Sequence, residues 1–247
     1  MTGQLPEYFH PIDREKQFSF ACHPGVACFT ECCRQLDLAL TPYDVLRLKK
    51  ALGMSSDTFL EQYVIIEWDE RVCFPQCYLT MIDDGRASCA FVSPEGCTVY
   101  PDRPGACRTY PVGRGAGQEA NGRIKEYLVL IKEPHCLGFQ KNIPHSLDDY
   151  FISQGLADYN RFNDALTAIL HHEQIRKGYR PSRRQLEQYL LALYNLDMFR
   201  REMAAGRITM NRPLRADELQ ALAGDDEKLL LLGIAWLRQE LFNDDTT

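Results

Sequence analysis

A chain of 247 residues, 45% of them hydrophobic, can bury a full core and needs no metal merely to offset small size. Its 34 acidic and 28 basic residues leave a formal charge of −6, which argues against a general nucleic-acid-binding surface. No stretch approaches the roughly 20 apolar residues of a membrane helix. The longest candidate, Leu229 to Leu237, runs into Arg238, Gln239 and Glu240 and reads as a buried amphipathic helix.

The opening run MTGQLPEYFHPIDREKQ holds acids and prolines and no apolar stretch, so no secretory signal is expected and a cytoplasmic location is. Thr41-Pro42-Tyr43-Asp44 predicts a helix start, with Thr41 as N-cap, proline at the first position and an acid in the first turn. Val45, Leu46, Leu48 and Leu52 supply its apolar side, and Gly53 ends it. Ser55 or Ser56 caps a second short helix through Phe59, Leu60 and Tyr63. From Val64 to about Ile131, short β-prone runs (VIIEW, YLTMI, CAFV, CTVY, EYLVLI) alternate with Gly, Pro and Asp turns. Gly113 to Gly122 (GRGAGQEANG) reads as an exposed hairpin loop, since a phosphate-cradling loop needs a following helix with a lysine.

Beyond that point the pattern turns helical. Ser146-Leu147-Asp148-Asp149 resembles a capping box, a longer helix is expected from about Leu156 to Ile175, and Ser182 caps a segment continuing to Gly206. Ala216 to Phe242 suggests two helices around Gly224. The expected class is α+β: an irregular, Cys-rich N-terminal domain with short strands over 1–140, followed by a mainly α-helical domain over 141–247.

The cysteines are unevenly spread. Nine of the ten lie between Cys22 and Cys107, the tenth is Cys136, and the rest of the chain has none. Cys22, Cys28, Cys32 and Cys33 form one group, Cys73 and Cys77 a second, and Cys89, Cys97 and Cys107 a third. Grouped thiols are usually a disulfide framework or metal ligands, and a reducing cytoplasm favours metal. Within C-x5-C-x3-C-C, Cys28 and Cys32 are spaced to share an ion. Cys33 directly follows Cys32, and consecutive side chains diverge, so the pair suits two neighbouring metal positions. Around the third group, Pro94, Gly96, Pro101, Pro104 and Gly105 provide turns that can bring separated sulfurs back to one point.

The early Cys28-x3-Cys32-Cys33 and the run Cys89-Ala-Phe-Val, Gly96-Cys97-Thr-Val-Tyr100, Arg103-Pro104 and Cys107-Arg108 resemble the YkgJ-type cysteine-cluster family of zinc- or iron-chelating domains. The resemblance spans roughly residues 20 to 140, where Cys136 in HCLGF resembles the family's late cysteine. The family's compact start, C-x2-C-x2-C-C, is here stretched to C-x5-C-x3-C-C. The resemblance implies eight metal ligands: Cys22, Cys28, Cys32, Cys33, Cys89, Cys97, Cys107 and Cys136. Eight sulfurs suffice for two four-thiolate sites or for one cluster with spare thiols. Cys73 and Cys77 fall outside it and read as structural, a buried thiol often serving as a small hydrophobe.

Four thiolates suit zinc and iron–sulfur clusters alike. Flagellin lysine N-methylases contain a domain similar to this one, which implies a [4Fe–4S] centre, S-adenosylmethionine and a protein substrate or partner. An iron–sulfur cluster is therefore preferred, with Zn2+ in an interaction module or a metal-delivery or redox-sensing factor as the alternative. Arg103 and Arg108 flank Cys107 and are candidate cofactor-binding residues: they can steady thiolate charge or bind a carboxylate, or else pair with acids such as Asp102 and pack on Tyr100. His23 and His135 adjoin cysteines and are expected beside a metal rather than on it. His171 and His172 are expected to be solvated on a helix, and Tyr159, Asn160 and Asn163 to serve helix packing. No Ser-His-Asp arrangement or H-E-x-x-H motif accompanies them, so no catalytic residue is assigned.

Overall fold

The computed structural model describes residues 6–119 and 123–244, with short strands mostly in the N-terminal half and helices mostly in the C-terminal half, an α+β protein. Its residues form two compact units, each drawn from two chain segments: Met1–Leu38 with Thr80–Asn160, and Ala39–Leu79 with Arg161–Thr247. This partition differs from the linear halves 1–140 and 141–247. The helix begun at Thr41 and its neighbours group with the distant helices, and residues 141–160 group with the cysteines.

The first unit is built on a three-stranded antiparallel sheet ordered β1 (Phe9–Pro11), β10 (Ile124–Ile131) and β9 (Val112–Gln118). Gly113 to Gln118 is thus strand rather than loop, Glu119 follows it outside the strand, and 120–122 of the expected hairpin loop lie outside the described residues. Gly113 sits opposite Val129, and a Cβ there would meet Val129 Cγ2 at 2.8 Å. The glycine that reads as loop in the sequence is what lets the strand pass close to its neighbour's side chains. Smaller ladders join β2 (Gln17–Ser19) to β11 (Pro144–Ser146), β5 (Met81–Ile82) to β6 (Ser88–Cys89), and β7 (Val92–Ser93) to β8 (Gly96–Cys97). Two short helices complete the unit, α3 (Gly105–Thr109) and α4 (Leu147–Ser153), the latter capped by Ser146. Phe18 packs edge-on against Tyr150 at 5.2 Å, and Phe20 against Phe139 at 5.3 Å.

The second unit holds α1 (Pro42–Ala51) and α2 (Ser56–Tyr63), the hairpin β3 (Val64–Glu67) and β4 (Gln76–Leu79), and a set of later helices. Thr41 and Asp44 cap α1 reciprocally, each side chain accepting the other's backbone amide. The expected long helix 156–175 is interrupted: α5 (Ala157–Leu170) stops, and the His172 side chain caps α6 (Glu173–Arg176). His172 also stacks on Phe242 at 3.7 Å, so it is packed rather than solvated. The 182–206 segment likewise divides into α7 (Arg183–Leu193) and α8 (Leu196–Ala204), where the Asn195 side chain accepts the Met198 amide. Last come α9 (Ala216–Ala223) and α10 (Asp226–Phe242) on either side of Gly224. No helix of the described residues is long and apolar enough to cross a membrane.

Leu48, Phe59, Leu193, Leu196, Phe199, Leu229 and Leu237 are fully buried in this unit. Beside them Lys49, 5% exposed, places its ammonium 2.8 Å from both Asp197 and Asp226, and Arg200 pairs with the same two acids. Such a buried cation persists because paired and hydrogen-bonded carboxylates compensate its desolvation.

Candidate metal centre

All eight cysteines of the expected ligand set fall in the first unit, whereas Cys73 and Cys77 fall in the second. Cys77 is buried in β4, where burial pushes its thiol up to about 12, as expected of a neutral sulfur in a core.

Cys22, Cys28 and Cys32 come from an irregular stretch of turns that ends in a short 3-10 helix, Glu31–Cys33. This stretch is brought to Cys136 by a backbone contact on its N-terminal side. The Ala21 amide donates to the Gly138 carbonyl at 3.1 Å, and the Leu137 amide donates to Cys28 Sγ at 3.2 Å. Gly138 has no room for a side chain: a Cβ would stand 2.4 Å from the Phe20 ring and 2.9 Å from the Ala21 carbonyl oxygen. As a result Cys22, Cys28, Cys32 and Cys136 line one pocket, together with Tyr110 and His135.

The remaining cysteines lie alongside. An antiparallel bridge between Arg34 and Ser88, followed by the Gln35 amide donating to the Ala87 carbonyl at 2.9 Å, sets Cys33 and Cys89 side by side. Cys97 is drawn in by the hairpin that pairs it with Val92. Cys107 sits in α3, where its charge acts on the Arg103 guanidinium. Backbone amides two residues ahead point back at three of these sulfurs: Phe91 to Cys89 at 3.5 Å, Val99 to Cys97 and Gly138 to Cys136. A neutral thiol is a weak acceptor, so this repeated arrangement has its main value for a thiolate, whose charge it stabilises.

Electrostatics set the thiols against one another. Burial pushes Cys22 up to about 11, and Cys32, Cys28 and Cys136 raise it further, although the residue as a whole is surface-exposed. Cys32 is held well above the ordinary thiol range by the hydrogen bond its thiol makes to Cys33, by burial and by the Cys33 charge. Cys136 is raised by burial and, less strongly, by Cys28 and Cys32, while a hydrogen bond from Tyr110 opposes the rise. Burial also raises Cys89, and charges on Cys97 and Cys32 add to it, so Cys89 lies within electrostatic reach of both groups of sulfurs. Each ionisation here hinders the next. A cation reverses that balance, because a coordinated thiol is deprotonated outright.

Arg103 and Arg108 are both buried. Arg103 lies over the Tyr100 ring at 3.8 Å, donates to the Tyr100 carbonyl and to Gln154 Oε1, and its charge favours ionisation of Cys22 and Cys97. It therefore packs on Tyr100 and carries its charge beside Cys22 and Cys97. Arg108 donates to the backbone carbonyls of Arg103, Gln154 and Pro101 and lies 4.7 Å over Tyr159. That commits it to bracing the loop before α3 and gives Tyr159 a packing role.

His135 lines the pocket and stands 3.7 Å from Glu133, whereas His23 is exposed and accepts the Gly25 amide. Among the described residues no three Cys, His, Asp or Glu side chains already converge closely enough to hold an ion. The fit to a metal is therefore one of donor chemistry: clustered sulfurs, amides aimed at them, and one buried guanidinium beside them. Sequence reasoning missed Tyr110, Glu133 and Gly138. Tyr110 donates to Glu133 at 3.0 Å and bonds Cys136. Their sequence signal was weak, since only the glycine two residues after a cysteine marks the position.

No match to the chain was found among curated proteins or solved structures. Residues 21–136 match the model of the CxxCxxCC family, described as a putative zinc- or iron-chelating domain, and this is the cysteine-cluster family that the sequence resembles.

Proposed function

We propose that the first unit is a thiolate metal centre whose principal site is the pocket of Cys22, Cys28, Cys32 and Cys136, flanked by Cys33, Cys89, Cys97 and Cys107. The observation that carries this reading is that four cysteines from two distant segments line one pocket. The backbone amides directed at Cys28, Cys89, Cys97 and Cys136 support it. Sulfur donors of this kind suit an iron–sulfur cluster or zinc. We prefer the iron–sulfur cluster, because the chain resembles a domain of flagellin lysine N-methylases. Bound there, such a cluster supplies electron transfer or a Lewis-acidic iron. The chain's own part is to hold the sulfurs, place amide donors on them and keep Arg103 nearby as compensating charge. S-adenosylmethionine and a protein lysine enter through the resemblance alone, and we build no step on them.

The test is anaerobic purification followed by analysis of iron, acid-labile sulfide and zinc. The expected result is a brown protein with visible thiolate-to-iron charge-transfer absorption and stoichiometric sulfide. A colourless protein containing zinc and no sulfide replaces the cluster by a structural thiolate zinc site. Absence of any bound metal refutes the metal centre.

A further inference from the structure

We infer that Cys22 is the exchangeable ligand of the pocket: the position its sulfur supplies is the one through which metal enters and leaves, and a small soluble thiol can take that place. The inference rests on the pocket's being the metal centre. Of the four cysteines that line it, Cys22 alone is exposed, while Cys28, Cys32 and Cys136 are half-buried. The other three sulfurs are each tied down. Cys28 accepts the Leu137 amide, Cys136 accepts the Gly138 amide and a hydrogen bond from Tyr110, and Cys32 sits in the Glu31–Cys33 turn with its thiol hydrogen-bonded to Cys33. Among the described residues no hydrogen bond reaches the Cys22 sulfur.

The local chain explains the difference. Phe20 and Ala21 are fixed, Phe20 through its amide to the Ile143 carbonyl and Ala21 through Gly138. Residues 22–25 then run exposed, without helix or strand, until Val26 is buried again. Cys22 is therefore positioned by the backbone before it and opens an exposed run of chain, while its thiol faces the pocket. Losing its sulfur opens the site to solvent, where a water or thiol fills the gap. Losing Cys28 instead also removes the acceptor of the part-buried Leu137 amide, and an added thiol bound at the metal position does not rebuild that bond.

Chemical rescue tests this in the full chain. Wild type, Cys22→Gly and Cys28→Gly are titrated with Co2+, whose sulfur-to-metal charge-transfer absorption reports thiolate coordination, with and without 2-mercaptoethanol. Cys22→Gly is expected to bind more weakly by roughly 10- to 100-fold, the scale on which single partners of a metal site count. Added 2-mercaptoethanol should restore both affinity and absorption. Cys28→Gly should show no such recovery. Unrescued binding by Cys22→Gly, wild-type binding without the thiol, or equal rescue of both variants overturns the inference while leaving the metal centre standing. Failure of the wild type to bind any metal removes both. A second measurement needs no variant: iodoacetamide labelling of the metal-loaded wild type, mapped by peptide mass, should modify Cys22 ahead of Cys28, Cys32 and Cys136, and equal rates refute its distinct role.

Discussion

Gly138→Ala is the sharpest test of how the fold holds the sulfurs. The added methyl would sit 2.4 Å from the Phe20 ring and 2.9 Å from the Ala21 carbonyl oxygen. Ordinary carbon contacts begin at about 3.5 Å, so the 20–21 segment must retreat by about 1 Å. Phe20 is 4% exposed and packs on Phe139, which leaves the ring little space to swing aside. Overpacking of a filled core costs typically about 1–3 kcal/mol. The same retreat moves Cys22, the next residue, relative to Cys136. Metal sites hold their distances to within about 0.2 Å, so a shift of that size should also lower metal occupancy. Thermal unfolding and metal content should be measured together, with Gly224→Ala as control, because nothing lies within 4 Å of a Cβ there. Equal melting temperature and equal metal content in the two variants would refute the argument that this close approach sets the pocket.

The ligand boundary gives a second prediction: Cys32→Ala, Cys97→Ala and Cys107→Ala should each lower metal content, whereas Cys77→Ala should keep it and cost only about 1 kcal/mol in denaturant unfolding. Lys49→Met should destabilise the second unit by about 2–3 kcal/mol, less than a wholly buried broken pair because Asp197 and Asp226 keep about a quarter of their surface and retain Arg200. Urea unfolding followed by the fluorescence of Trp236, which packs on Phe199, should read that loss, and an unchanged midpoint counts against the network. Acid supplies a further check. Burial pushes the Asp197 carboxyl up, but hydrogen bonds from Lys49 and Ser56 outweigh it and hold the group down at about 2. Its contribution, about 2 kcal/mol for a shift of this size, is complete above the ordinary carboxyl range and is lost as pH falls from about 4 through 2. Asp197→Asn should flatten that part of the stability–pH curve, and an identical acid slope in wild type and variant refutes the assignment.

What was legible in the sequence was local. Thr41 with Pro42 and Asp44, Ser146 and Ser182 each marked a helix start by the side chain that satisfies its first amides. What was hidden depended on partners far along the chain or on caps buried inside a periodic run. His172 and Asn195 each cap a new helix within a stretch whose apolar spacing reads as continuous. Gly113 and Gly138 look like loop residues, yet each marks a close approach whose other side lies elsewhere in the sequence. The grouping of Ala39–Leu79 with the C-terminal helices could not be read from composition, because Lys49 meets Asp197 and Asp226 only through long-range packing. For the cysteines, spacing indicated that they were grouped. It did not reveal that Cys136 joins Cys22, Cys28 and Cys32 while Cys33 adjoins Cys89.

That last arrangement bears on how the first unit folds. The pocket closes only when the Leu137 amide reaches Cys28 across 109 residues of chain, a contact that costs loop-closure entropy and buries little apolar surface of its own. As free thiols the pocket's sulfurs are neutral and attract one another little, and Cys32, Cys28 and Cys136 raise the cost of ionising Cys22. The hydrophobic contacts of Phe20 with Phe139 and Tyr110 hold the two segments together where the sulfurs do not. A metal would then draw together sulfurs that line one pocket without yet converging on a point, deprotonating them and binding them through one shared charge. The shape of the pocket and its chemistry rest on adjacent residues: packing around Phe20 and Gly138 places the sulfurs, and a bound cation would make them more stable together than apart.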